Sequence, residues 1–511
     1  MQGFRDALDF CGFMDLGFTG LEFTWHSRRH GHLVWERLDR GVANYDWLSK
    51  FPATTVRHLH CYSSDHRPIS ISLNLNNEAQ RWSRRPFRFE EMWLANSGCS
   101  DTMLRAWQAD QQGTPMFKVR KKLKKCKKML KSWSKEHFGS FKSQIAKKKE
   151  LLWKAGELAA KGGEYEPVVT LRRDLNVLLD KESRMWRQRA RTQSLAKGDK
   201  NTKYFHAVAT QRKRKKFIKG IQDDEGVWQS EEEVVSSIFV DFYTRLFTSS
   251  NVHDIDRVLE GVNKVVFDSM NTDLLMPYSK EEVDVAIKQM APLKAPSLDG
   301  MPPIFYQSFW QNVGPEVSDA ILSCLNFDTL LKSINHTFIT LIPKVCNTES
   351  VTEFRPISLC NVLYKIISKV IANRLKPILN SIILEAQSAF IADRLITDNI
   401  LIAFESLHYM NSQCSGREGF MAMKLDMSKA YDRVEWCFLE KILLHMGFIE
   451  SWVAMIMQCV SIVTYSILIN GEPKGFIYTF SWIETRRPTF SLSFPVLCRG
   501  PKWSLMQSSR G

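Results

Sequence analysis

Met423-Lys-Leu-Asp-Met-Ser-Lys-Ala-Tyr-Asp-Arg-Val434 is the stretch whose reading decides the fold. A short apolar run delivers Asp426 to the end of a predicted strand, 420–426, and Tyr431 follows it at a spacing of five. An acid fixed on a strand can hold Mg²⁺ against a triphosphate, and a flat ring beside it can sense the incoming sugar. A lone Asp at a strand end is more often a capping group, so its neighbours must carry the reading.

Upstream, Thr337-Phe-Ile-Thr-Leu-Ile-Pro-Lys344 reads as a buried strand ending on a cation. Phe354-Arg-Pro-Ile-Ser-Leu-Cys-Asn-Val-Leu-Tyr-Lys365 places Arg355 on an extended Arg-Pro step that leads into a helix. Two cations on adjacent elements can clamp a triphosphate, although surface cations in pairs are common. Leu363, Ile366, Ile367, Val370, Ile371 and Leu375 predict a helix over 362–379 with one core face. Lys365, Lys369, Arg374 and Lys376 occupy its other positions. Before these elements, 230–330 reads as helical around a Pro/Gly-rich surface loop, Pro292-Leu-Lys-Ala-Pro-Ser-Leu-Asp-Gly-Met-Pro302. After them come Gln387-Ser-Ala-Phe-Ile-Ala-Asp-Arg394, a helix over 400–410, a helix over 436–447, and a strand and turn over 463–472.

Between 117 and 150 the chain has fourteen Lys or Arg against two Glu. Leu123, Cys126, Leu130 and Trp133 fall at helical spacing, giving an apolar stripe on a cationic rod. Such a face is usually just solvated. Charge this one-sided repels itself, however, unless phosphates neutralise it, which makes Lys121, Lys122, Lys124 and Lys125 candidate backbone contacts. Lys161-Gly-Gly163 ends the pattern, and a second helix runs over 171–191. Lys200 and Lys203 interleave with Tyr204, Phe205 and His206, and Arg212, Lys213 and Arg214 follow, as a phosphate grip with stacking requires. Asp223-Asp-Glu-Gly226 then reads as a hairpin turn.

Residues 1–75 alternate short period-two apolar runs with turns, predicting β-structure. They contain Arg37-Leu-Asp-Arg40 and Ser64-Asp-His-Arg-Pro68. An Asp beside a His can orient an imidazole toward a phosphate, though a purely structural pair is commoner.

Together these motifs resemble a plant LINE-type (non-LTR) retrotransposon polyprotein. Residues 1–76 resemble the last part of an apurinic-type endonuclease domain of the endonuclease/exonuclease/phosphatase superfamily. That resemblance implies that Asp39 orients His66 at the phosphate, with Asp65 on the metal or leaving-group side. The Gly198-Asp-Lys-Asn-Thr-Lys-Tyr-Phe-His206 run resembles the linker between endonuclease and polymerase. The later motifs resemble reverse transcriptase fingers and palm. Asp426 is then implied as the catalytic Mg²⁺ ligand, Tyr431 as the gate against a 2′-hydroxyl, and Lys344 and Arg355 as triphosphate contacts. The cations of the 362–379 helix are implied to face template. The sequence departs from the family pattern at Ser297, Leu298 and Asp393, turn positions where Gly is expected.

The expected fold class is α+β: a partial endonuclease β-sandwich over 1–76, a basic helical linker over 77–230, a helical pre-fingers region over 231–335, and incomplete reverse transcriptase fingers and palm over 336–478. Residues 479–511 lack any steady period and read as a frame-shifted, disordered tail. The resemblance implies RNA-directed DNA synthesis with an RNA template and a DNA primer or target. Two-metal chemistry needs converging carboxylates, and only one such motif is legible, so the chain as written is expected to lack the activity. The alternatives are a non-catalytic nucleic-acid-binding remnant or a product without function. The net charge of +15 agrees with a polyanionic partner. Eleven cysteines without metal spacing read as reduced thiols of an intracellular protein, and no apolar run is long enough for a membrane span. No feature specifies an oligomeric state.

Overall fold

A computed structural model describes residues 3, 7, 8, 10–29, 32–51, 54–59, 64–73, 87–139, 141–190, 209, 212, 216–249, 255–297, 299–327, 330–345, 348–383, 387, 391, 393–412, 421–423 and 434–478. The amino-terminal part holds β1 (Met14–Asp15), β2 (Trp25–Arg29), β3 (His32–Glu36), β4 (Val42–Ala43), helix α1 (Tyr45–Lys50), β5 (Thr55–His58) and β6 (Ile69–Ser72). Among the described residues these strands pair antiparallel in twos, β1 with β4, β2 with β3 and β5 with β6. Isolated bridges, Thr19 to Arg57 and Trp25 to His66, stitch the pairs together. Among the described residues the period-two patterning is therefore realised as two-stranded pairs.

Four helices follow: α2 (Ser97–Trp107), α3 (Pro115–Phe138), α4 (Phe141–Ala160) and α5 (Glu166–Ala190). Pro115 suits the first turn of α3, where its missing N–H costs nothing. Gly139, at φ 42°, ends it, so the rod expected through 150 is two helices. Met116, Val119, Leu123, Cys126, Leu130 and Trp133 form the buried face of α3.

The hairpin at the Asp-Glu-Gly turn is β7 (Ile221–Gln222) with β8 (Trp228–Gln229), and Gly226 supplies a φ of 80°. Then come α6 (Glu232–Phe247), α7 (Ile255–Leu259), α8 (Asp268–Leu275), α9 (Lys280–Lys288), α10 (Pro303–Ser308), α11 (Trp310–Asn326) and α12 (Lys332–Asn335). In the loop before α10 the left-handed turn is taken by Gly300, at φ 79°, and not by Ser297. A Cβ at residue 300 would collide with the Phe87 carbonyl oxygen, and Phe89 N–H donates to the Gly300 carbonyl at 2.9 Å. The left-handed turn therefore rests on Gly300, and Ser297 does not have a positive φ.

The remaining elements are β9 (His336–Pro343), β10 (Phe354–Leu359), α13 (Val362–Ile382), α14 (Ile396–Ser412), α15 (Trp436–His445), α16 (Glu450–Ser461), β11 (Thr464–Ile469) and β12 (Glu472–Tyr478). They build a four-stranded sheet of order β10-β9-β11-β12. β9 is antiparallel to β10 and parallel to β11, and β11 is antiparallel to β12. Asn470 and Gly471, at φ 51° and 99°, close the β11–β12 hairpin in the doubly left-handed conformation that matches strand twist. The Asn470 amide also accepts from Ile218 N–H and donates to Ile218 O, at 2.9 and 3.0 Å.

Two apolar clusters hold these elements. One runs continuously from Phe87 to Val460 and takes side chains from α2, α3, α9, α11, α13, α15 and α16. The basic helical region, read from sequence as a linker, thus shares its core with α13. The second cluster lies between the sheet and α6, where Phe239, Tyr243 and Phe247 cover Ile339, Leu341, Tyr465 and Ile467.

Candidate nucleotide and nucleic-acid site

Strand alternation gives the four-stranded sheet two unlike faces. Thr337, Ile339 and Leu341 of β9 are buried toward α6. On the other face the register aligns Phe338 with Leu359, Thr340 with Ile357, and Ile342 with Arg355. The same face receives Thr464 and Ser466 of β11, opposite His336 and Phe338. His336 is its centre: Nδ1 lies 2.8 Å from Thr464 Oγ1, the ring stacks on Phe476 at 5.3 Å, and Phe338 meets it edge-on at 4.8 Å. Burial holds its pKa below the ordinary imidazole value, which favours the neutral form. Phe476 and Tyr478 are 58% and 67% exposed on β12. Thr464 and Ser466 are buried, so the face presents the exposed Arg355 guanidinium beside Ile342 and, six β9 residues away, the exposed rings around His336, groups suited to phosphates and to a base.

Arg355 sits on the edge strand β10 with no ion-pair partner among the described residues. Lys344 lies just past β9, where its backbone N–H donates to Glu353 O at 2.8 Å. Its ammonium donates to Thr352 O at 3.0 Å, so this cation is folded onto the hairpin end. The sequence motifs thus place both cations on one hairpin. The rings of His336, Phe338, Phe476 and Tyr478 were not singled out from sequence, because β9 and β12 are far apart in the chain.

Asp426 and Tyr431 lie outside the described residues, as do Lys200, Lys203, Lys213 and Arg214. Met421 and Met423, just before Asp426, are exposed and outside regular secondary structure. Among the described residues no group of three His, Cys, Asp or Glu could hold a metal ion.

Of the α13 cations, Arg374 does not face outward. It pairs with Glu282 of α9 at 2.8 Å and donates to the carbonyls of Leu274, Met276 and Pro277. Its guanidinium lies 3.7 Å from the Tyr278 ring centre. The reason is satisfaction: the α8–α9 turn presents carbonyls that a fork-shaped donor can collect. Asp393 has φ 62°, so the turn the family gives to Gly is left-handed here too.

On α3, Lys122 is buried, bonded to Glu316 of α11 at 2.7 Å and packed over the Trp107 ring. Lys121, Lys124 and Lys125 are exposed. Arg212 is exposed.

In the amino-terminal part, Asp39 Oδ2 lies 2.9 Å from His66 Nδ1. Thr24, fully buried, accepts from the N–H groups of Leu38 and Asp39 and so fixes the strand end that carries the carboxylate. Burial opposes ionisation of Asp39, yet hydrogen bonds from His66 and Thr24 hold its pKa below the ordinary carboxyl value. Asp65 accepts from the Trp25 indole at 3.1 Å, and that bond lowers its pKa as well. The three residues picked from two separate motifs are brought together around β2.

Residues 342–483 match the family model for reverse transcriptase (RNA-dependent DNA polymerase). The reverse transcriptase segment begins on β9 and takes in Arg355, α13 and the whole β11–β12 hairpin. A transposon TX1 protein of 149 kDa from Xenopus laevis, itself uncharacterized, is 26% identical over 435 residues. The alignment takes 82% of this chain and 32% of that protein, so the chain spans about a third of its relative's length. The reverse transcriptase segment is thus set in a mixed helix-and-sheet fold, with similarity to a transposon protein extending well beyond it. Among the described residues no helix is long and apolar enough to cross a membrane.

Proposed function

We propose that the chain is part of a plant LINE-type (non-LTR) retrotransposon polyprotein whose function is RNA-directed DNA synthesis. The observation that carries this reading is the open face of the β10-β9-β11-β12 sheet within the reverse transcriptase segment, where Arg355 shares a face with stacking rings. Arg355 contacts the triphosphate, with Lys344 reaching it after release from Thr352. Asp426 binds Mg²⁺, which when bound would screen the phosphate charge, and Tyr431 excludes a 2′-hydroxyl. RNA template and DNA primer are the partners, the basic helices grip nucleic acid, and the setting is intracellular. Asp39, His66 and Asp65 descend from the endonuclease, with Asp39 orienting the imidazole.

The test is photocrosslinking of a deoxynucleoside triphosphate to the full chain. Arg355→Ala is expected to weaken capture about ten- to a hundredfold, the range of one charge-assisted hydrogen bond. Unchanged capture in that variant overturns the assignment. Primer extension on RNA, compared with Asp426→Ala, then separates the grip from the chemistry, because extension needs a second carboxylate to converge with Asp426.

A further inference from the structure

Sequence showed only that 117–150 is rich in cations; the fold sorts them. Lys122 is buried against Glu316, Arg120 donates to Ser333 at 2.5 Å and Lys148 pairs with Asp174. By contrast Lys121, Lys124, Lys128, Lys131 and Lys135 are all exposed along α3, and no acid pairs with them among the described residues. Successive helical residues turn by 100°, so these five lie within an arc of about 80° and span about 21 Å of axis. The opposite face is packed into the core by Leu123, Cys126, Leu130 and Trp133, which leaves the row turned outward. Glu136 is the single acid on this helix.

We infer that this lysine row is a sequence-independent docking surface for the phosphate backbone of a nucleic-acid duplex. The inference rests on the nucleic-acid reading above and narrows it from a basic region to one row and one ligand class. Three observations favour a duplex over a single strand. The row lies along one continuous helix packed into the core, and its length matches about six base pairs of double-helical rise. Trp133 is buried, and the one exposed ring beside the row among the described residues, Phe117 at its end, is topped by the Lys121 ammonium at 5.2 Å, so unpaired bases find no run of rings to stack on. The exposed cations are ammonium point charges, which neutralise phosphates without reading base edges.

The experiment is fluorescence anisotropy of the full chain with a labelled duplex of about two helical turns, and with its single strand, across a KCl series. Replacing Lys121, Lys124, Lys128, Lys131 and Lys135 by Gln should reduce the slope of log K against log salt by about 4 to 5. Replacing five exposed lysines elsewhere (Lys50, Lys264, Lys280, Lys288 and Lys332) should leave the slope unchanged. On the parent protein, duplex should protect the row from lysine acylation, a readout that does not depend on variants folding. A parental slope in the row variant, equal loss in the control, no protection, or tighter binding of the single strand overturns the inference. Failure of the parent to bind either nucleic acid overturns the broader reading as well.

Discussion

Asp15 accepts from Arg37 at 2.9 Å, from Arg40 at 3.1 Å and from Gly17 N–H at 2.8 Å. Burial opposes its charge, but these bonds hold its pKa below the ordinary carboxyl value, as they do for Asp39 and Asp65 by their own partners. A depressed folded pKa contributes stability that is present above the unfolded value and lost as pH falls through the folded one. The amino-terminal part should therefore be constant in stability near neutrality and loosen below about pH 4. Asp15→Asn should cost about 1–3 kcal/mol at neutral pH and flatten that acid limb, as read by tryptophan fluorescence during titration. An unchanged limb would show that the two arginines do not depend on this carboxylate. Asp393 makes a second residue-scale case. Its φ of 62° disfavours a Cβ, although Asp tolerates the region better than most residues. Asp393→Gly should stay within ~0.5 kcal/mol of the parent, whereas Asp393→Val should cost ~1–2 kcal/mol in denaturant melts.

Among elements, Arg374 ties α8 and α9 to α13. It closes on Glu282, which itself accepts from Ser279 N–H at 2.9 Å as the capping box of α9. One carboxylate thus caps a helix and holds a neighbour's guanidinium. Arg374→Ala should cost about 2–4 kcal/mol, since carbonyls of the α8–α9 turn lose their donor and Glu282 its partner. Arg374→Lys should recover less than half of that loss in urea unfolding, because an ammonium cannot reproduce the fork. Full recovery by Lys would reduce the interaction to simple charge pairing. On this scale the chain text was readable: the apolar spacing of 362–379 and the turn at Asn470-Gly471 name their own elements. The direction of Arg374 was not readable, because the turn it satisfies lies about a hundred residues upstream.

At the scale of the whole molecule, the continuous cluster from Phe87 to Val460 makes α3 part of the same cooperative body as α13. Backbone amides of 119–130 and 363–371 should then exchange with comparable protection in native-state hydrogen exchange. Exchange of the α3 amides faster by orders of magnitude would show that the basic helices open on their own. The described cysteines follow the same division: Cys99 and Cys126 are buried there, and burial pushes their thiols up to about 12. Exposed Cys11 and Cys437 should therefore be labelled first by a thiol reagent.

The order of motifs, the sign of the charge and the candidate residues Arg355, Asp426, Asp39 and His66 were all determined by the sequence. Local periodicity and turn chemistry act over a few residues, and a linear text records them directly. Among the described residues, tertiary structure alone decided which cations meet an acid, which face of the sheet α6 covers and which rings gather around His336. Those outcomes depend on contacts between residues as far apart as Lys122 and Glu316, or His336 and Phe476, and burial is a property of the packed chain rather than of any segment.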